Sequence, residues 1–355
     1  MLTILIFSYA RQDYLKRQFR FWSEYPDINL MVQDGSITPI EEGVIEQLPS
    51  NIEYIHNPVG LYERLNALVK SCETPYACLL SDDEFFTPSV LNRCVSFLQK
   101  NPNYSTAGGV SMGFDFSQNR VRAFQSYKNL GFHRKEESPV ERVKEHLFNY
   151  QPNSIYSVWA RNDLESAVNY SQSYSWSCPY VFELIIEVFA SLKGRTIIMP
   201  FFYWFRSREN PPITTDDIDR SIDYITWTKE YPTEFKMYIS VIGEMVRQYT
   251  FLSEQESVRV AYSIHKSFMA FLENYKSIRI ERKRNQSKYK RFMRKLMRSI
   301  SKRITPFHII EKLLKGNAEL SAEEYLQKLE LEGVNVPWNE ANRINKIITE
   351  FQRGR

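Results

Sequence analysis

Short apolar runs alternate with helix-length amphipathic segments from Leu2 to about residue 210, and that order constrains the fold more than any other feature. Leu2–Phe7, Ile28–Val32, Ile52–Ile55 and Tyr76–Leu80 predict strands. Between them, Asp13–Tyr25 (on Tyr14, Phe19, Phe21 and Trp22), Leu61–Cys72 and Val90–Lys100 carry helical spacing. Strands alternating with helices of this length imply βαβ units and a mostly parallel sheet, an α/β fold. Further strands are expected at Gly108–Phe116, Ile155–Ala160 and Thr196–Phe205. Further helices are expected at Asn162–Ser171 and Tyr180–Leu192, with Gly194 as the cap of the latter. Residues 117–153 are polar and read as a mobile loop around one short helix, Pro139–Phe148.

Asn210-Pro211-Pro212 closes a first domain, 1–212. From Thr214 the pattern is helical only, at 216–230, 232–250, 254–278, 283–302, 306–315, 321–331 and 338–352, which gives a second domain over 213–355. Apolar residues make up 43% of the chain, enough for a real core, and this argues against wholesale disorder. Four cysteines without a C-x-x-C pair exclude a disulfide scaffold and a zinc ribbon, and fit reduced cytoplasmic thiols. No run of 18 apolar residues predicts a transmembrane helix. The apolar start, Met1–Phe7, lacks a basic n-region and reads as a strand rather than a signal peptide.

The net charge of +4 conceals an uneven distribution. Residues 276–303 hold 13 Lys/Arg against Glu281, a net +12, so the other 327 residues carry −8. Phe292, Leu296 and Ile300 recur every four residues there, an apolar stripe on a basic helix. Such a helix suits an anionic membrane surface, or packing of its stripe on its own domain. Nucleic acid is the weakest fit, because no helix-turn-helix, zinc-finger or RNP signature accompanies the patch.

Ligands of open α/β sheets bind at the carboxyl ends of the strands. The polar residues following each apolar run are Ser8, Tyr9 and Arg11; Asp34, Gly35 and Ser36; His56 and Asn57; and Ser81, Asp82, Asp83 and Glu84. Three adjacent acids repel one another. Mg²⁺ or Mn²⁺ relieves that repulsion, and such ions complete their shells with substrate phosphates. The same acids also suit a structural role ahead of the helix after Pro88, where they favour its dipole.

As a set, these motifs resemble the nucleotide-sugar domain of inverting GT-A glycosyltransferases of the family 2 type. Phe7-Ser8-Tyr9-Ala10-Arg11 stands where that group has a P-T-Y-N-R-like turn. Asp34-Gly35-Ser36 is its D-G-S, Arg64 and Asn66 lie on the expected helix, and Ser81-Asp82-Asp83-Glu84 stands for its D-x-D. Order and spacing match over residues 2–90 and more loosely to about 210. The closest likeness is to an uncharacterised bacterial branch with an S-D-D-E-F motif and a helical C-terminal region. The chain departs from the pattern in Ser81, the first member if the motif is 81–83, or in Glu84, the last member if it is 82–84, and in Ala10, at a frequent Asn, the latter at small expected cost.

The resemblance implies roles. Ser8, Tyr9 and Arg11 frame base and ribose, Asp34 accepts from the base, and Arg64 approaches the diphosphate or the acidic loop. Asp82 meets ribose or sugar hydroxyls, and Asp83 holds the metal with Glu84. Glu183, at the head of a late helix, is the general base, with Asp163 the alternative. Arg206 and Arg208 suit the departing diphosphate. His133 and Arg134 suit a lid, and Trp159, Trp176, Tyr180 and Trp204 either an acceptor platform or the core. The implied activity is metal-dependent, inverting single-displacement transfer from a UDP- or GDP-sugar to a growing, lipid-linked surface glycan. This would place the protein in the cytoplasm, peripheral on the inner membrane face. The rivals are a nucleotidyl- or phosphoglycosyl-type transferase, and a non-catalytic membrane- or nucleic-acid-binding scaffold.

Overall fold

The computed structural model describes residues 1–127, 129–210, 223–300 and 320–355. The helix expected at 306–315, the start of the one expected at 216–230 and the boundary at 212 lie outside the described residues, as do the side chains of the apolar stripe at 292–300.

Four parallel strands form one half of the sheet: β1 (Leu2–Ser8), β2 (Asn29–Asp34), β3 (Ile52–His56) and β4 (Tyr76–Leu80), ordered β3-β2-β1-β4. β1 is buried almost throughout, as a central parallel strand covered on both faces must be. The helices α1 (Gln12–Trp22), α2 (Glu42–Ile45), α3 (Leu61–Ser71) and α4 (Pro88–Lys100) lie between or after these strands, with a two-residue strand β5 (Phe85–Phe86) before α4. The register aligns the strand ends: Ser8 lies opposite Asp34, Asp34 opposite His56, and Ile6 opposite Leu80. Ser81–Glu84 therefore emerges beside Ser8.

The other half of the sheet is mixed. Its long strands β6 (Tyr104–Ser117) and β10 (Arg195–Ser207) run parallel, each several residues longer than the apolar runs alone indicate. The polar stretch 117–153, expected as a loop with one helix, holds β7 (Arg120–Phe124), β8 (His133–Arg134) and α5 (Pro139–Phe148). β7 pairs with β6 through an exposed turn with Gln118 and Asn119 at positive φ, which polarity alone reads as loop. β9 (Val158–Ala160) joins β4 to β6, antiparallel to both.

Next come α6 (Arg161–Ser171) and α7 (Pro179–Lys193). Gly194 ends α7 but is extended, at φ −165°, so no left-handed cap requires it. Space does: a Cβ there would stand 2.8 Å from the Ser105 amide nitrogen.

After residue 222 come α8 (Tyr224–Glu230), α9 (Pro232–Tyr249) and α10 (Glu254–Ile300), one continuous helix where two were expected. A short strand β11 (Leu320–Ser321) extends the sheet at β7 and interrupts the all-helical pattern; α11 (Ala322–Leu331) and α12 (Trp338–Arg353) follow. The core divides between the two faces of the sheet. α1 and α4 share one cluster with Leu326, Ile344 and Ile348 of α11 and α12. α3, α6 and α7 share the other with α9 and α10. All four cysteines are buried and unpaired. Among the described residues no helix is long and apolar enough to cross a membrane.

Candidate active site

The acidic turn after β4 is held by its backbone. Gln18 of α1 donates from Nε2 to the carbonyls of Asp82 (3.0 Å) and Glu84 (2.7 Å), and Arg17 donates from Nη2 to that of Asp83 (2.9 Å). Arg17 also forms a buried ion pair with Glu209 at 3.0 Å. Sequence reasoning missed both side chains. The available signal was two polar residues on a helix face that otherwise carries Tyr14, Phe21 and Trp22 to the core.

With its carbonyls satisfied, the turn presents three carboxyl groups in different settings. Asp82 accepts from Ser8 Oγ at 2.7 Å and Arg11 Nη1 at 3.0 Å. Burial and the Asp83 charge still push it up to about 6. Asp83 accepts from Asn210 Nδ2 at 3.0 Å and lies 3.5 Å from Arg11 Nη1. Glu84 accepts from Trp204 Nε1 at 2.8 Å, and burial, then Asp83, push it up to about 8 against the pull of Arg206.

These residues line a cavity of about 360 Å³ with Tyr9, Arg64, Glu183 and Arg206. The strand ends and two helix starts thus bring together Ser8, Tyr9, Arg11, Arg64, the three acids, Glu183 and Arg206, and of the residues expected to touch nucleotide, metal or acceptor hydroxyl they leave out Asp34, Arg208 and Asp163. Asp34 is fully buried and outside the lining, accepting from the Ser36 amide (2.9 Å), Ser36 Oγ and Tyr54 OH (2.8 Å). A second cavity of about 580 Å³ adjoins the first through Tyr9, Arg11 and Asn210, with Ser36, Thr38 and Arg355 on its far side.

Arg64 is buried. Its guanidinium donates to the Val59 carbonyl, faces the Tyr9 ring at 5.9 Å and lies over Gly35, where a Cβ would collide with it. This contact explains the glycine in Asp34-Gly35-Ser36. Ala10 has φ +54°, a left-handed conformation that Asn tolerates and Ala does not, so its replacement of Asn carries more strain than expected.

Glu183 lies just beyond the first turn of α7 and accepts from Tyr150 OH at 2.5 Å. Arg206, from the end of β10, lies over Tyr127 at 5.1 Å; the negative groups around it outweigh its burial and hold its pKa above the ordinary value. Arg208 is outside the cavity, stacked 3.9 Å from the Phe124 ring centre. Asp163 is also outside it, paired with Lys193 at 2.8 Å. His133 and Arg134 are not in a lid: they pair with Ile197 and Thr196 on the sheet, and His133 bonds Tyr104 OH at 2.7 Å. Trp159, Trp176 and Trp204 belong to the core, and only Tyr180 of the expected aromatic platform is exposed on the cavity rim, near a Tyr62–Phe182 ring pair.

Among the described residues no group of three or more His, Cys, Asp or Glu is arranged to hold a metal ion. The donors fit a cation held by one or two carboxylates and completed by substrate phosphates, with Asp83 the suitable ligand. Glu84, the other expected ligand, already has one carboxyl oxygen engaged by Trp204 Nε1.

An open α/β sheet with paired acids at the end of β4, and with basic groups and a late-helix carboxylate in the same cavity, has the arrangement of a GT-A-type fold. Residues 3–158 match the model of Glycosyl transferase family 2. No curated protein matches the chain in sequence. In solved structures, the fold is similar to that of Staphylococcus aureus TarS 1–349 in complex with UDP-GlcNAc. The TM-score is 0.53 at 12% identity, over 76% of this chain and 73% of that one. A further crystal structure of TarS 1–349 gives 0.51 at 11% identity, over 76% and 72%. The chain has a GT-A-type fold and is a glycosyltransferase, similar to Glycosyl transferase family 2 over residues 3–158.

Proposed function

We propose that the protein moves a sugar from a uridine diphosphate sugar to a hydroxyl of a glycan acceptor, with inversion, in a single displacement. The observation that carries this reading is the joint lining of one cavity by Asp82, Asp83, Arg64, Arg206 and Glu183. A uridine donor is favoured over a guanosine one by the similarity to TarS, crystallised with UDP-GlcNAc.

Glu183 takes the proton from the acceptor hydroxyl as that oxygen bonds to the anomeric carbon. The bond from that carbon to the diphosphate breaks, and UDP leaves with the electron pair. Arg206 and Arg64 offer guanidinium groups to the diphosphate. Ser8, Tyr9 and Arg11 border the nucleoside side, and Arg11 also balances both aspartates. Asp34 acts through Ser36 and Tyr54, shaping the turn after β2 in place of direct contact with the base. Asp83 is the residue that would hold Mg²⁺ or Mn²⁺, and such a cation would supply positive charge beside the diphosphate. The basic segment 276–303 suits a lipid-linked acceptor at an anionic cytoplasmic membrane face. Flotation with anionic vesicles tests that link, and equal failure with anionic and neutral vesicles refutes it.

The first experiment is calorimetric titration with UDP, GDP, CMP and dTDP, each with and without Mn²⁺, on the native chain and on Asp83→Ala. Mn²⁺-dependent binding of UDP, lost in D83A, is the expected result. Metal-independent binding unchanged in D83A refutes the assignment of Asp83. Binding of no nucleotide moves the weight to a scaffold.

A further inference from the structure

Tyr150 lies between α5 and β9, in the polar stretch that the sequence pattern leaves without a role. Its ring packs edge-on against Phe268 (5.1 Å between centroids) and Phe271 (5.8 Å) of α10. It also lies 5.7 Å from the ring of His146 on α5. His146 is wholly buried, 2.9 Å from Glu187, which stands one helical turn after Glu183 on α7. The phenol is thus fixed by two helices and donates to a third, at Glu183 Oε1, over 2.5 Å.

We propose that Tyr150 is a positioning residue for Glu183: its hydroxyl orients the carboxylate toward the cavity and favours the ionised form that can accept a proton. The inference rests on the reading of Glu183 as the base. A hydroxyl 2.5 Å from a carboxylate oxygen is within the range of charge-assisted bonds, and a donor to the charged form lowers a carboxyl pKa. Other groups acting on this region include Arg206 from β10, which favours the charge, and Tyr127, Tyr156 and Glu187. All of them remain when only the Tyr150 hydroxyl is removed. The clamp also gives α10 a function: through Phe268 and Phe271, the helical region sets the direction of a group in the transferase cavity.

Tyr150→Phe keeps the ring and its packing and deletes one oxygen. Infrared difference spectra, with Glu183→Gln as the subtracted reference, read the Glu183 carboxylate in the native chain and in Y150F. The midpoint is expected to rise by about one to two pH units in Y150F, the equivalent of one bond to a charged group, with UDP affinity held and the fold retained by circular dichroism. An unmoved midpoint overturns the proposal. The reciprocal measurement needs no Y150F protein: the tyrosinate absorbance of E183Q minus that of the native chain must show one phenol ionising at lower pH, and its absence overturns the coupling too. Release of UDP from UDP-GlcNAc separates the two levels. An inactive E183Q with an unmoved Y150F midpoint removes Tyr150 alone, whereas native turnover by E183Q removes the base assignment and the positioning role with it.

Discussion

Glu84 should make the protein less stable as pH rises, and Glu84→Gln should remove that dependence. Its carboxyl is buried, accepts from Trp204 Nε1 and is pushed from 4.5 up to about 8. The folded chain therefore keeps a proton that the unfolded chain releases. Below 4.5 both states hold it and the contribution is constant; between 4.5 and about 8 stability is lost as pH rises; above that both are ionised. At about 1.4 kcal/mol per pH unit the whole window amounts to about 5 kcal/mol, an upper value, since water entry and movement of Arg206 soften it. A Gln side chain keeps an oxygen for Trp204 and has no proton to lose. Urea unfolding at steps from pH 5 to 9, with chelator present, measures the difference between the two proteins. E84Q should match the native chain near pH 5 and exceed it by several kcal/mol near pH 9. Parallel curves would refute the reasoning, as would a native chain that gains stability over this range through a group abolished by E84Q.

Other perturbations test separate parts of the site. Ala10→Asn should stabilise by about 1 kcal/mol, because it relieves a left-handed Ala at φ +54°, and an unchanged urea midpoint contradicts that. Gly35→Ala should displace the Arg64 guanidinium and weaken UDP binding tenfold or more, the approximate value of one charge-assisted bond; native affinity by calorimetry would sever Arg64 from the donor site. Glu209→Ala leaves Arg17 charged and buried and should cost about 3–5 kcal/mol, read as a fall in denaturation midpoint; an unchanged midpoint would contradict it.

The sequence made the parallel half of the sheet legible because Leu2–Phe7 and Tyr76–Leu80 are short apolar runs between clear helical patterns. The site rim followed from it, since register places Ser8 beside the acidic turn. β7, β8 and β11 were not legible. Two of them are two residues long and all three lie toward the edge or flank of the sheet, where pairing rather than hydrophobic period makes the strand. Asp34 illustrates another limit. Its place at a strand end was readable, but Tyr54, 20 residues later on β3, claims one carboxylate oxygen, a contact that no local pattern contains. Tyr150 and Asn210 reach the site from segments that read as plain loop and domain closure.

The placement of the last helix gives the acidic turn a reason for its rigidity. α12 pairs with α1 through Arg20–Glu350 and with the turn after it through Arg343–Glu24. Its Gln352 reaches Glu209, the partner of Arg17, and Arg355 donates to Tyr14 OH at 2.9 Å. Tyr14 OH donates in turn to Asn210 Oδ1 at 3.1 Å, and Asn210 Nδ2 to Asp83 at 3.0 Å. Two connected routes therefore run from α12 to the turn, one to a backbone carbonyl and one to a carboxylate. Three adjacent acids with unsatisfied carbonyls would repel and open the turn. With α1 bonded to those carbonyls and α12 holding α1, the carboxyl groups stay together at the cavity, where a donor's cation and the two guanidinium groups can share their charge.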